Sequence, residues 1–371
     1  MKNNLKVYKA KILVMSPTFV GSGKDISKKE YRLSKEEQKV VIYDPAKFYQ
    51  LMKKLGKDAQ YENFLMNDSR SDLETWMQDN RISISSVNEA IRYSVACGER
   101  LESGRSKIQI MEFAKDPYGL PYVPGSSIKG MLRTILLGYE VIKNPEKYRQ
   151  EAERIKRFHT DRPDRKAYKK ETNDIEVSAF NTLDREGVKK ENAVNDNLQG
   201  FIISDSKPLK LADLLLCQKV EYHTNREEKS LNILRECLRS TTSIEFTITI
   251  DTQVCPYDAD KIMEAIKVFN DMYYDCFLSK FNSQKRPADT VYLGGGAGFV
   301  SKTIIYSLFG ADEGVAVAEN VFRNTLPQGV FNTHGHKHDT QYGVSPHILK
   351  CTRKDGNRFQ VGMCKFIIED M

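Results

Sequence analysis

Alternating apolar and polar residues predict β-strands in three parts of the chain. Over residues 5–15 the apolar side chains fall on one face and lysines on the other, which is the period of a half-buried strand. Residues 244–250 alternate isoleucine and phenylalanine with glutamate and threonine, and they form the strongest strand pattern in the sequence. A short apolar run at 200–206 ends in a polar turn and predicts a third strand. The buried face of the first strand would carry Tyr8, Ala10, Ile12 and Val14.

Apolar residues spaced three and four positions apart predict helices. Asp44 and Pro45 provide an N-cap and a first-turn proline for a helix that Gly56 can end. Apolar residues at 128, 131, 132, 135 and 136 predict a second amphipathic helix, with Ser126 or Ser127 as its cap. Further helices are predicted around residues 73–77 and from 260 to 280. Strands and helices alternate irregularly, without a short repeat.

Length and composition indicate a globular protein. With 371 residues, 40% of them hydrophobic, the chain can bury a core and form two or three domains. Lysines interrupt the apolar residues of the N-terminal segment, and no apolar run reaches the length of a membrane span, so we expect a cytoplasmic protein. The seven cysteines are scattered and include no CxxC pair, which indicates neither a disulfide framework nor a zinc site.

The positive charge is unevenly distributed. The formal net charge is +7, and residues 154–170 contain eight basic residues against two acidic ones. Such a basic loop suits a nucleic-acid contact, with Arg154 and Arg157 as candidates, and it equally suits a solvated insertion. Composition alone does not decide between these two interpretations.

Three glycine-containing loops each combine small residues with a lysine. The richest has four glycines in five residues, ahead of Lys302, and leaves a backbone that can touch a phosphodiester directly. A second loop precedes the predicted helix at 128–136, where Lys129 and Arg133 are neighbours on one face and can flank an anion at the helix N-terminus. The third loop lies near the N-terminus. The residues are Gly294, Gly295, Gly296 and Gly298 in the first loop, Gly125, Ser126 and Ser127 in the second, and Gly21, Ser22 and Lys24 in the third.

The glycine-rich loop does not fit the common nucleotide-binding motifs. A P-loop requires a glycine directly before its lysine, whereas residues 299–301 separate Gly298 from Lys302. The GxGxxG fingerprint fails because Phe299 stands where its third glycine would be sought. We therefore predict no nucleotide cofactor.

The histidines could act as metal ligands or as catalytic acids and bases, but the sequence shows no residues to complete either kind of site. His334, His336 and His338 alternate beside Asp339, but no further carboxylate or cysteine completes a site, so no native metal is predicted. His159 and His223 are the histidines that could act in metal-independent RNA cleavage, and neither has a recognisable partner. Asp25 is an isolated carboxylate, so catalysis is not indicated.

Five motifs together resemble a known family. Residues 122–133 resemble the helix-capping motif of the CRISPR-associated RAMP superfamily, and residues 293–298 resemble its glycine-rich signature. With residues 20–23, 200–205 and the Ser-Pro-His-Ile-Leu-Lys element at 345–350, the order looks most like the Csm-type subunit that caps the crRNA 3′ end in type III-A effectors. The similarity covers most of the chain.

The resemblance implies an α+β protein with two ferredoxin-like, RRM-type domains that hold RNA in glycine-rich loops. It implies an N-terminal domain over residues 1–215 with an insertion at about 141–198, and a C-terminal domain over 216–371. The subunit would grip crRNA through its backbone rather than its bases. Its expected protein partners are the repeated backbone RAMP subunit, a small helical subunit and host nucleases that trim the 3′ end. No association with a membrane is expected. The resemblance adds His347 and Lys350 to the RNA-binding candidates above.

Two alternatives remain open at the level of sequence. One is a repeat-cleaving RAMP endoribonuclease, and the other is a general basic RNA-binding module. We expect a non-catalytic RNA-binding subunit without cofactor or metal.

Overall fold

Two β-sheets with helices packed around them make up the protein, whose computed structural model describes residues 4–34, 36–67, 71–99 and 109–371. The strands are β1 (Leu5–Val14), β2 (Gly21–Ile26), β3 (Tyr31–Ser34), β4 (Lys39–Tyr43), β5 (Ile91–Cys97), β6 (Gln109–Phe113), β7 (Phe201–Ile203), β8 (Leu214–His223), β9 (Glu228–Leu238), β10 (Ser243–Asp251), β11 (Thr290–Tyr292), β12 (Ile348–Lys354), β13 (Asn357–Gln360) and β14 (Met363–Asp370). The helices are α1 (Pro45–Lys54), α2 (Asp58–Met66), α3 (Leu73–Asp79), α4 (Gly125–Lys143), α5 (Arg149–Arg157), α6 (Lys169–Phe180), α7 (Ala259–Cys276), α8 (Ile305–Thr325), α9 (Gln328–Thr333) and α10 (Asp339–Tyr342). The architecture is mixed α+β.

The first sheet has five strands in the order β11-β14-β1-β10-β7, and every neighbouring pair is antiparallel. Central strand β1 pairs Ile12 with Ile244 of β10 on one side and with Phe366 of β14 on the other. The predicted alternation of β1 and β10 is confirmed, because their even-numbered residues from Tyr8 to Val14 and from Ile244 to Ile250 are buried. A sheet with one packed face and one open face follows from this pattern.

Helices α4 and α7 pack against each other on the buried side of this sheet. All five apolar positions of the α4 stripe are buried, as their spacing predicts. Gly138 of α4 faces Phe269 of α7 so closely that a β-carbon there would lie 2.7 Å from the ring. Helix α7 confirms the helix predicted from residue 260, and a short 3-10 turn follows it.

The second sheet has nine strands, seven of them in the order β2-β6-β9-β8-β5-β4-β3. Strand β12 pairs with both β8 and β13 and so joins the C-terminal segment to this sheet. Strand β8 runs across residue 215, and β1, β10 and β14 share one sheet although they come from both sides of that position. The two-domain division at residue 215 stays a prediction.

A smaller second core lies beside strand β4. Val40 and Ile42 of β4 belong to the main core, whereas Val41 and Tyr43 point into a separate cluster formed with helices α1 to α3. That cluster contains Trp76, the one tryptophan of the sequence. The predicted N-cap of α1 is confirmed, since an Asp44 oxygen accepts hydrogen bonds from two first-turn amides at 2.9 and 3.0 Å.

The basic segment at 154–170 is more ordered than the loop that its composition predicts. Helix α5 covers its beginning and α6 covers its end, and α5 packs against α6 and α8. Arg154 pairs with Glu151 at 3.0 Å and with Asp174 at 3.1 Å, while exposed Arg157 pairs with Glu153 at 3.4 Å. The prediction of a loop is therefore wrong at the two ends of the segment, where charge pairs along the helices stabilise them without a strong apolar stripe. Residues 158–168 lie between α5 and α6 and belong to neither helix. Within the described part of the chain, no helix combines the length and apolarity needed to cross a bilayer.

Candidate nucleic-acid interface

The three glycine-containing loops meet at one cleft, although they are far apart in sequence. The cleft has a volume of about 330 Å³ and lies between the beginning of β2, the first turns of α4 and the loop after β11. Each loop contributes residues that the sequence marks as candidates, and the cleft continues along α4. The lining includes Gly21, Ser127, Gly130, Thr134, Gly294, Gly295, Ser301 and Lys302.

Close backbone packing explains Gly294 in the glycine-rich loop. Gly294 has a φ of +83°, and a β-carbon there would lie 2.1 Å from the carbonyl oxygen of Phe19. The amide of Gly295 donates a hydrogen bond to that same oxygen at 2.6 Å. Glycine is thus required at position 294 for the loop to lie on the segment before β2, because a side chain there would separate the two backbones.

Gly296 and Gly298 face different surroundings. A β-carbon on Gly296 would lie 2.2 Å from the Arg235 guanidinium, so this glycine makes room for a cation. Gly298 has a φ of +104°, and a β-carbon added there would lie 4.0 Å from the Tyr273 hydroxyl, at ordinary contact distance. It borders a second cleft of about 190 Å³, which is lined mainly by apolar side chains and also by His334 and Lys350.

Lys302 lines the first cleft and Arg235 lies against the glycine-rich loop at Gly296, and within the described residues no carboxylate forms an ion pair with either cation. Lys302 is exposed, and partial desolvation together with the nearby Arg235 guanidinium lowers the pKa of its amine. Burial lowers the pKa of Arg235 as well, and its Nε is buried without a hydrogen-bond partner in the described part of the chain. Its guanidinium lies 5.4 Å from the centre of the Phe19 ring. Two such cations beside a glycine backbone form a site suited to an anion.

A larger cleft of about 870 Å³ adjoins the first one at Gly21 and contains Ser22 and Lys24. Lys24 is exposed, but the Ser22 hydroxyl donates a hydrogen bond to Glu112 at 3.1 Å. Glu112 lies 3.6 Å from the Lys115 amine and 3.8 Å from Arg92. Charges of both signs therefore line this cleft, and it suits an anion less than the cleft at Lys302.

The N-terminus of α4 already has an acidic partner. The sequence predicts Ser126 or Ser127 as its cap, and this is wrong: Pro124 is the N-cap residue and no side chain caps from that position. Instead, the Gly125 amide donates to a carboxylate oxygen of Asp205 at 2.7 Å. A negative charge there is favoured by the helix dipole. Ser127 lines the first cleft, whereas Ser126 is exposed.

Lys129 and Arg133 contact the insertion. The Lys129 amine donates to a backbone carbonyl at residue 198 at 2.7 Å, and burial lowers its pKa. Arg133 pairs with Glu176 at 2.9 Å and with Asp196 at 2.7 Å. Both side chains therefore fasten the insertion to α4, and their contact with RNA stays a prediction.

His347 and Lys350 lie on the C-terminal segment, in different environments. His347 is buried, and its Nδ1 is hydrogen-bonded to Asp339, which also contacts His336 Nδ1 at 3.0 Å and accepts from Ser345 at 2.7 Å. Burial raises the pKa of the Asp339 carboxyl, but these hydrogen bonds lower it overall. The half-buried Lys350 amine pairs with Glu221 at 2.6 Å.

The nuclease candidates of the sequence are not brought together. His159 is exposed, 3.5 Å from Asp161, on the connection between α5 and α6. His223 is at the end of β8, where burial and the nearby His347 lower its pKa. Asp25 lies on β2, and its carboxylate accepts a hydrogen bond from Gln109.

Two residues of these sites, Arg235 and Asp205, cannot be found by sequence reasoning, and a third, Asp339, is visible beside the histidines without its partners. Arg235 is a single cation in a strand and carries no local motif. Asp205 stands in a predicted turn, and a carboxylate that caps a helix from another element leaves no spacing to detect. Asp339 follows His338 in the sequence, but its contact with His347 depends on the tertiary fold.

The comparisons with known sequences agree along the whole chain. The model of the RAMP superfamily matches residues 11–280. The CRISPR system Cms protein Csm5 of Mycobacterium tuberculosis (strain ATCC 25618 / H37Rv) is 29% identical over 399 residues, which cover 99% of each chain. The Csm5 protein of Streptococcus thermophilus is 29% identical over 325 residues, with 82% of each chain covered.

Solved structures show the same fold. A chain of the Csm-crRNA-target RNA ternary complex of a type III-A CRISPR-Cas system superposes with a TM-score of 0.64, at 18% identity, covering 97% of this chain and 100% of that one. The crystal structure of T. onnurineus Csm5 gives a TM-score of 0.59 at 16% identity, covering 96% and 99% of the two chains.

Proposed function

The chain belongs to the RAMP superfamily, and we propose that it is the crRNA-binding subunit that caps the crRNA 3′ end in a type III-A Csm complex of the cytoplasm. The curated relatives are named Csm5, and one structural neighbour is part of a complex with crRNA and target RNA. The proposed role is non-catalytic, with no cofactor, and it supports maturation of the crRNA 3′ end.

The cleft beside Lys302 carries this proposal. Loops from three distant parts of the chain converge there on small residues and on Lys302, while Arg235 lies against the glycine-rich loop at Gly296. Neither cation has an acidic partner among the described residues. A phosphodiester can approach the glycine backbone and the Ser127 hydroxyl while Lys302 neutralises its charge. Because such contacts involve phosphates and not base edges, binding would be independent of sequence.

The remaining candidate residues differ in how directly they would contact the RNA. Lys24 and Lys350 border the neighbouring clefts and extend the proposed path of the RNA. Lys129 and Arg133 position the insertion through their contacts with it and with α6. Arg154 and Arg157 lie on α5, whose acidic residues already pair with them.

A ferredoxin-like domain is part of the proposal. The elements β1, α4, β7, β10, α7 and β14 follow one another in the chain, with other strands inserted between them, and the sheet order is β14-β1-β10-β7. This succession supports a β-α-β-β-α-β motif. The second RRM-type domain would be built on the nine-stranded sheet.

Other Csm subunits, namely the repeated RAMP subunit and the small helical subunit, are the proposed protein partners. Host nucleases would be recruited to trim the crRNA 3′ end.

The test is Lys302→Ala in the full-length chain, measured by binding of single-stranded RNA over a range of salt concentrations. Loss of one phosphate contact makes the slope of log K against log salt shallower by about 0.7. In reconstituted complexes, the same variant should give heterogeneous crRNA 3′ ends on sequencing.

Lys47→Ala is the matched control. Lys47 is an exposed lysine on α1, the helix that packs on the small second core, and it does not line the cleft. It should leave affinity and slope unchanged. Equal behaviour of the two variants would contradict the role of Lys302. Specific cutting of repeat RNA in the absence of metal would favour the endoribonuclease, and a chain that assembles with no Csm subunit would favour the general RNA-binding module.

A further inference from the structure

A buried group of two histidines and one aspartate lies beside the second cleft. His336, Asp339 and His347 are each more than nine-tenths buried, and they offer ligand atoms that all lie within 4.8 Å of one another. Two imidazole Nδ1 atoms converge on the two oxygens of one carboxylate, with His336 Nδ1 3.0 Å from Asp339 Oδ2. We infer that these three side chains bind a Zn²⁺ ion, independently of the proposed RNA contact.

The donor set fits zinc. Zn²⁺ prefers imidazole nitrogens and carboxylate oxygens in tetrahedral geometry, with bonds of about 2.0 to 2.2 Å. Ligand atoms in such a site are separated by about 3.3 Å, and His336 Nδ1 lies 3.0 Å from Asp339 Oδ2. His347 Nδ1 and Asp339 Oδ1 are in closer hydrogen-bond contact, so the ion would replace the proton between them and move these two atoms apart. Three protein ligands leave a fourth position for water or for another side chain. His334 and His223 lie near it, with ring centres 5.7 Å from His336 and 5.6 Å from His347.

Neighbouring residues hold the ligands as an outer shell should. The Ser345 hydroxyl donates to Asp339 Oδ2 at 2.7 Å, and the Tyr306 hydroxyl is bonded to the backbone of Ser345. The Phe322 ring stacks on His336 with centres 4.3 Å apart. Hydrogen bonds that fix a ligating carboxylate, and an apolar shell that limits water, are common features of metal sites.

A catalytic triad is a poorer explanation of the same residues. In a triad the serine hydroxyl is bonded to the imidazole, which the carboxylate orients from its other side. Here the Ser345 hydroxyl bonds directly to the Asp339 carboxylate, as both imidazoles do. All three groups thus converge on one carboxylate instead of forming a relay toward a nucleophile.

The ion would stabilise a segment with little regular structure of its own. Helices α9 and α10 have 6 and 4 residues, and helices this short are marginal alone. His336 precedes α10, Asp339 begins it, and His347 directly precedes β12 of the second sheet. One ion would therefore fasten this segment to the sheet and fix the wall of the cleft at Gly298.

The test uses the full-length chain, purified with a tag that contains no histidine, and elemental analysis for zinc. We expect about one Zn²⁺ per chain, and less than about a tenth of that in Asp339→Asn and in His347→Gln. His338→Gln is the matched control, because His338 contacts Gln341 and lies outside the group. It should retain the wild-type content.

Wild-type protein provides a second measurement that needs no variant to fold. After removal of metal with a chelator, Zn²⁺ added back should raise Tm, and Co²⁺ should give the visible absorption of a tetrahedral N/O site. The inference is overturned if stripped wild-type protein retains no added zinc after gel filtration and shows no rise in Tm. Equal loss of zinc in His338→Gln and Asp339→Asn would also overturn it, since exposed histidines would then hold the metal.

Discussion

At the scale of single residues, Gly294 is constrained by the protein before any ligand arrives. Its positive φ and its contact with the Phe19 carbonyl leave no room for a β-carbon. A glycine in a phosphate-binding loop is usually explained by the approach of the ligand. Here the first backbone to approach is that of the chain itself, and the proposed anion site is a product of this packing.

Gly294→Ala should therefore destabilise the protein by about 2 to 4 kcal/mol, from a disfavoured φ and a steric overlap. The measurement is the free energy of unfolding in denaturant. Gly329→Ala is the control, since Gly329 lies in α9 with open space where its β-carbon would be. It should be neutral or stabilising by less than about 1 kcal/mol. Similar changes in the free energy of unfolding for both variants would show that the contact between Gly294 and Phe19 does not contribute to stability.

Sequence can identify the glycines of this loop but not what they touch. The same limit applies to the histidines. His336 and Asp339 are three residues apart, a spacing that can be seen locally, whereas His347 reaches Asp339 only through the turn that leads into β12. Side chains that meet through tertiary structure leave no pattern in one sequence.

At the scale of elements, α4 is the part of the fold on which the proposed RNA site depends most. Its apolar stripe packs against α7, its N-terminus is capped by Asp205, and its exposed side lines the cleft. Gly130 lies on that side, and a β-carbon added there would have no described atom within 4 Å. A side chain can thus be introduced into the cleft without disturbing the helix.

Gly130→Glu should reduce RNA affinity more than about tenfold, which corresponds to about 1.4 kcal/mol, because it places a carboxylate in the cleft that Lys302 lines. Helix propensity favours glutamate over glycine, so the variant should be no less stable than wild type. Gly130→Ala is the control and should bind RNA nearly as wild type. Unchanged binding of the glutamate variant at low salt would exclude the cleft as the RNA path.

Elements with local periodicity can be predicted from sequence. Strands β1 and β10 and helices α1, α4 and α7 are found because burial on one face sets their apolar spacing. Helix α5 escapes prediction because only Ile155 is buried in it and pairs such as Lys156 with Glu153 stabilise it instead. The nine-stranded sheet also escapes prediction, since its pairings join distant segments.

At the scale of the whole molecule, strand β4 separates two cores. Its alternate residues point into the main core and into the small cluster around Trp76. Strands β4 and β3 are joined to the rest of the nine-stranded sheet through β5. Strand β5 pairs with β8 in parallel, and the described residues form two pairs in this ladder. Few backbone hydrogen bonds therefore connect the strands beside the small core to the remaining strands of the sheet.

Tryptophan fluorescence should report the unfolding of this small core separately. Trp76 stacks on Phe64 with ring centres 5.3 Å apart, and short helices surround both. We expect the fluorescence transition in denaturant to precede the transition in far-UV circular dichroism. Val41→Ala should shift the first transition, and Val40→Ala, on the other face of β4, should shift the second. Coincident transitions in all three proteins would show one cooperative unit.

The central position of β1 has a consequence for biosynthesis. Ile12 is paired with Ile244 and with Phe366, so β1 leaves the ribosome long before the two strands that flank it are made. At about 5 to 20 residues per second, this delay lasts on the order of tens of seconds. During this delay, a strand with one apolar face and two unpaired edges is exposed to other nascent chains. Translation of this chain therefore places a large demand on chaperones once β1 has emerged, long before the proposed RNA-binding cleft exists.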